Sequence, residues 1–227
     1  MQCHNVFYYD NHPDEGRSIS PYEGIWTPTK LRSELEAALR AKFPGQVDTT
    51  GSTAIGVNSS SSRVDADVVP CFNYRDYFTS GEYREGIKIF RTSGPSTHNY
   101  PAQNLEEGRK KNNLTQTRFK KTVRILKRVE NNMLDAGAHR EVPSFFIESL
   151  VYNCPNTIIQ RSTWTGVVKG VISHIWEELD GEEPDDEPAR WREVNRCKFL
   201  FHQAQKWTRQ DGRDFAYAAW NYLNLSS

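Results

Sequence analysis

The hydrophobic period of this chain changes near Leu114, and that change limits its fold more than any other feature. Ahead of it, apolar residues fall in short runs or alternate with polar ones, as in Ile87-Lys88-Ile89, the pattern of strands whose side chains point to opposite faces in turn. Beyond it, Phe119, Val123, Leu126 and Met133 recur at helical spacing, while Lys120, Arg124, Lys127 and Arg128 occupy another side of the same segment. Such a chain predicts an α+β protein, a small mixed β-sheet followed by a helical bundle, with domains over 1–113 and 114–227.

The punctuation of the sequence gives the individual elements. Val6-Phe7-Tyr8-Tyr9 reads as the end of a strand, followed by a polar loop. Thr27-Pro28 opens a helix with Leu31, Leu35 and Leu39 along one face, and Pro44-Gly45 closes it. Strands are expected around 53–57, 63–71 and 83–91, with a loop over Arg75–Gly81. The second half predicts helices over 115–133, from Pro143-Ser144 to Pro155, and over about 157–179, 190–207 and 211–223.

Composition narrows the function classes. The 29 basic and 29 acidic residues of the 227 cancel, and 37% apolar content suits an ordinary globular protein. No stretch approaches the roughly 20 apolar residues of a membrane helix, and the opening Met1-Gln2-Cys3-His4-Asn5 lacks the pattern of a signal peptide. A cytoplasmic location without membrane contact is therefore expected. Cys3, Cys71, Cys154 and Cys197 are widely spaced, which argues for reduced thiols over zinc or disulfides. The zero net charge hides an asymmetry: Arg109 to Arg128 holds nine basic residues and no acid. A polyanion is the natural partner of such a surface. The eight acids between Glu177 and Glu187 surround Gly181 and Pro184 and read as a solvated loop.

The segment Arg63-Val64-Asp65-Ala66-Asp67-Val68-Val69-Pro70-Cys71 is richest in chemistry. As a strand it places Asp65, Asp67 and Val69 on one face. A carboxylate in a Val-rich strand is costly unless compensated, and a divalent cation compensates it directly; two acids on a half-exposed, solvated strand are the plainer reading. Gly51-Ser52 ahead of Asp65-x-Asp67 imitates the Gly-Ser and Asp-x-Asp signature of the DNA polymerase β nucleotidyltransferase superfamily, in which Ser52 would contact phosphate. The candidate strand Gly86–Phe90 supplies no third acid.

Three longer stretches carry a closer resemblance: Arg63 to Arg75, Arg118 to Arg128, and Pro143 to Asn153. They resemble the bacterial cGAS/DncV-like nucleotidyltransferases, and most nearly the clade that includes CdnE. The resemblance spans about Val6 to Tyr152, with Ala66-Asp67-Val68-Val69-Pro70 its most specific part. It implies that Asp67 is the third catalytic and metal-binding acid, and that Lys121 and Arg124 bind nucleotide. It implies magnesium as cofactor, nucleoside triphosphates as substrates, and cyclic di- or trinucleotide products that activate a downstream effector in antiphage defence, with no structural nucleic acid expected. The family's own Gly-Ser and Asp-x-Asp are expected upstream of a segment similar to Gln2–Asp10, so the chain is expected to hold an incomplete catalytic core. One carboxylate cannot place two magnesium ions against a triphosphate, so it is expected to be inactive alone. The rival expectation is a non-catalytic nucleotide- or nucleic-acid-binding remnant that uses the 109–128 basic surface.

Overall fold

The computed structural model describes residues 7–10 and 24–225. The expectations for Met1–Val6 and for most of the polar loop before Trp26 lie outside the described residues. The chain divides into two compact units between Pro101 and Ala102.

The first unit contains two sheets. Strand β1 (Phe7–Asp10) pairs in parallel with β5 (Phe72–Tyr77), which pairs antiparallel with β6 (Tyr83–Ile89), which pairs antiparallel with β7 (Thr97–Asn99). The sheet is therefore mixed, as expected. A second, antiparallel sheet has the order β2 (Val47–Asp48), β3 (Ile55–Val57), β4 (Ala66–Val68). Phe72 and Tyr74 are buried on one side of β5, and Tyr74 stacks on His98 with ring centroids 3.9 Å apart. Opposite Tyr74, Gly86 has no room for a side chain, because a Cβ there would lie 2.8 Å from the Asn99 carbonyl oxygen and 2.9 Å from the Tyr100 ring.

Helix α1 (Pro28–Lys42) starts as its sequence directs, with Pro28 in the first turn and the Thr27 hydroxyl accepting the Lys30 N–H. Its buried Arg32 organises the unit. The guanidinium pairs with Glu36 at 2.8 Å and donates to the carbonyls of Gly51 at 2.8 Å, Thr53 at 3.3 Å and Ala54 at 3.4 Å. A buried cation whose donors all meet oxygen is stable where an unpaired one is not.

The second unit is helical. It comprises α2 (Pro101–Leu114, counted from Ala102), α3 (Arg118–Asp135), α4 (Ser144–Asn153), α5 (Asn156–Ile159), α6 (Trp164–Glu178) and α7 (Arg209–Tyr222). Phe119, Leu126, Met133, Ile147, Leu150, Val171, Ile172 and Phe215 are fully buried in one apolar cluster. The start of α3 is satisfied from the end of α2 and the turn after it: the Asn112 side-chain oxygen accepts the Lys120 N–H and the Thr115 hydroxyl oxygen accepts the Phe119 N–H.

Several sequence expectations are corrected here, among them the single helix over 157–179, which is two, α5 and α6. Arg75 to Tyr77 belong to β5 and are not loop, and α2 and β7 lie where no element was expected. The strand expected over 63–71 is confined to Ala66–Val68. The helix expected over 190–207 is absent: a 3-10 turn at Glu187–Ala189 leads into a tight reversal with a bridge between Arg192 and Phe199. There the Asn153 side chain takes both backbone polar groups of Arg192, and Glu193 N–H bonds to the Lys198 carbonyl, so the segment is satisfied without helical bonding.

Candidate functional site

Asp67 lies at the middle of β4, exposed, and directly opposite Gly56 of β3. Gly56 is in turn opposite Asp48 of β2. Cross-strand partners share a face, so Asp48 and Asp67 flank a position that carries no side chain. A Cβ on Gly56 would sit 3.4 Å from that of Asp48. The Asp48 carboxylate accepts the Thr50 N–H at 2.8 Å, and that bond holds its pKa below the usual carboxylate range. Among the described residues nothing hydrogen-bonds to or pairs with the Asp67 carboxylate, which stands free to take a ligand.

Asp65 does not accompany it on the strand. It precedes β4, and its carboxylate accepts the Ser59 N–H at 2.6 Å, closing the Asn58–Arg63 turn. Gly51-Ser52 does not form an anion-binding loop either. Anion-binding loops present N–H groups, whereas here the Gly51 carbonyl faces Arg32 and the Ser52 carbonyl accepts the Thr92 N–H at 3.0 Å.

The basic run from Arg109 to Arg128 is sorted by the helical unit into committed and free charges. Lys110 pairs with Glu106 at 2.7 Å and Glu107 at 2.8 Å, Lys127 with Glu148 at 3.7 Å, and Arg118 donates to the Arg161 carbonyl while lying over the Trp164 ring. The Lys111 ammonium points inward and donates to the Cys154 carbonyl at 2.6 Å, and burial lowers its pKa. Lys121 and Arg124, like Arg109, Lys120 and Arg128, have no ion-pair partner among the described residues, and the two are exposed one helical turn apart on α3, where residues three apart are neighbours. The face behind them is locked by Thr122, Val123 and Leu126, all buried. Two cations on a rigid face suit a phosphate chain, with Arg able to bind it bidentately.

Magnesium is held by near-octahedral oxygen ligands, usually one or two carboxylates together with water and substrate phosphate. Asp67 fits as one such ligand. Among the described residues no three His, Cys, Asp or Glu side chains converge, so these residues do not by themselves fit a pair of ions. Among them, too, no helix is long and apolar enough to cross a membrane.

Comparison with known proteins identifies the family and the fold. The family described as the cGAS/DncV-like nucleotidyltransferase C-terminal helical domain matches residues 106–224. The chain is 32% identical to a cyclic dipyrimidine nucleotide synthase, CdnE, of Cecembia lonarensis, over 96% of this chain and 75% of the relative. It is 36% identical to a cyclic dipurine nucleotide synthase of Elizabethkingia meningoseptica, over 86% and 65%. The chain spans 66% of the length of a similar CdnE from Legionella pneumophila. The solved structure of the Elizabethkingia meningoseptica CdnE cyclic dinucleotide synthase with GTP and Apcpp superposes with a TM-score of 0.78 at 35% identity, covering 88% of this chain and 72% of that one. The Rhodothermus marinus CdnE c-UMP-AMP synthase shares the fold, with a TM-score of 0.81 at 24% identity.

Proposed function

The chain belongs to the cGAS/DncV-like nucleotidyltransferases, and from that premise we propose that it is part of a synthase that joins nucleoside triphosphates into a cyclic di- or trinucleotide. The observation that carries this reading is the pair of unpartnered cations Lys121 and Arg124 on a rigid helix face, in a chain that also presents the exposed Asp67. Relatives solved with GTP, Apcpp and Upnpp support triphosphates as the substrate class. Relatives that make dipyrimidine and dipurine products leave the base choice outside the proposal.

In this reading Lys121 and Arg124 neutralise and orient the triphosphate, which lowers the repulsion met by an attacking hydroxyl. Asp67 would serve as one carboxylate ligand to magnesium, which when bound supplies charge stabilisation for transfer at a triphosphate. The described residues do not supply the remaining acids, so the 227 residues alone are proposed not to turn over. The product would act in the cytoplasm on a separate effector in defence against phage. The rival reading, a non-catalytic nucleotide- or nucleic-acid-binding remnant, draws on the same basic surface, of which Lys110 and Lys127 are paired with carboxylates and Arg118 with a carbonyl.

Triphosphate titration tests the assignment. Lys121→Ala and Arg124→Ala should each weaken ATP binding by roughly tenfold, the worth of one charge-assisted hydrogen bond, and added salt should weaken it further. Affinity unchanged in both variants would remove these residues from the site.

A further inference from the structure

We propose that a second cleft, built wholly within the helical unit, binds a small nucleotide through its phosphate. The cleft has a volume of about 760 Å³, within the range of roughly 300–1,000 Å³ typical of small-ligand sites. Lys111, Arg190, Arg192 and Arg196 line it against one carboxylate, Glu187. This inference does not depend on the function proposed for Lys121 and Arg124.

The cations are held in place by the fold. Asn153 at the end of α4 donates to the Arg192 carbonyl at 2.7 Å and accepts the Arg192 N–H at 3.1 Å. The guanidiniums of Arg190 and Arg192 lie over the Phe199 ring, 3.7 Å and 4.5 Å from its centroid, and are tied to Glu183 at 2.7 Å and Glu187 at 2.6 Å. Arg196 stands at the tip of the reversal with φ +58°, a left-handed conformation that a non-glycine residue keeps only where its surroundings enforce it. Its N–H bonds to the Glu193 carbonyl at 2.8 Å, and its exposed side chain has no ion-pair partner among the described residues. Glu107, whose charge it feels, is already engaged by Lys110 and Tyr152.

Two groups in the wall call for a ligand. The half-buried Lys111 ammonium meets a carbonyl and the face of the Tyr152 ring but no carboxylate among the described residues, and an anion in the cleft would supply the counter-charge. The side-chain oxygen of Asn156 is buried without a hydrogen-bond donor. It would accept an N–H, which a nucleotide carries on its base and pyrophosphate lacks.

The test uses the full chain carrying Lys121→Ala and Arg124→Ala, so that it reads this cleft whether or not the proposed function holds. Calorimetric titration with ATP and with inorganic pyrophosphate should still show binding. Adding Arg196→Gly, which suits the positive φ, should weaken both probes by roughly tenfold with an unchanged melting temperature. Asn156→Ala should weaken ATP and leave pyrophosphate unaffected. Absence of ATP binding in the double variant, or affinities unmoved by Arg196→Gly, would overturn the site; ATP affinity unmoved by Asn156→Ala would overturn its assignment to a nucleotide.

Discussion

The two units reach order by different means. In the helical unit, α3, α4, α6 and α7 bury a continuous apolar cluster, and the few polar side chains buried with it are bonded locally, as where Glu130 accepts the Val142 N–H. In the strand-rich unit the described apolar core is small, consisting of Ile55, Val57, Phe72, Tyr74 and Ile89 with Tyr100 beside it. Ring stacking and the Arg32 hub do much of the joining there. The difference bears on the proposed site: a dense core fixes the backbone of α3, on which Lys121 and Arg124 are exposed, whereas β4 is short and its Asp67 is exposed.

Truncating the dense core should have the largest effect. Leu126→Ala removes a fully buried side chain and should cost about 2–5 kcal/mol in urea unfolding; a loss below 1 kcal/mol would mean that the cluster is loosely packed. Arg32→Ala probes the polar hub. It leaves the carbonyls of Gly51, Thr53 and Ala54 without their donor and should cost about 1–3 kcal/mol, with hydrogen exchange of the Ile55–Val57 strand rising before that of α3. Equal protection loss in both units would break the contrast.

The smallest effect is a pH dependence. Burial, with the neighbouring Glu107 adding to it, pushes the Tyr152 hydroxyl from its ordinary 10.0 up to about 12. The folded protein therefore holds this proton more tightly than the unfolded chain. Its contribution is fully present below about pH 10 and is lost as pH rises toward about 12. Tyr152→Phe should melt with a shallower decline between these values than the parent protein; identical slopes would place the phenol in a more solvated setting.

These regions also differ in how far their sequences could be read. Helix α3 was legible because Phe119, Val123, Leu126 and Met133 keep a helical period and all four are buried. Helix α2 was hidden because Glu106, Glu107, Arg109 and Lys110 make it polar nearly all round; it is held by pairs along its own surface and by Gly108 packing toward Val194. The 190–207 stretch carries Trp191, Val194 and Leu200 at spacing that mimics a helix, and all three are buried, but Asn153 and the Phe199 ring fold it back instead. Strand β5 was obscured by Asn73, Arg75 and Asp76, which interrupt an inward alternation of Phe72 and Tyr74. Of the candidate site, the position of Asp67 on a strand was readable from Val-rich flanks. The resemblance singled out Lys121 and Arg124, whereas the engagement of Lys110, Lys111, Arg118 and Lys127 was not readable, because two of their partners lie 43 residues away. The cleft lined by Arg192 and Arg196 has no local signature, because α2, α4 and the 190–200 reversal meet only in the folded chain.

Asp67 is proposed as one acid of a metal-holding set that the described residues do not complete. The decisive experiment is to incubate the purified chain with labelled nucleoside triphosphates and magnesium and resolve the products by chromatography. Neither the parent chain nor Asp67→Asn should yield a cyclic product; a cyclic product from the parent that disappears in Asp67→Asn would show that the set is complete within the chain.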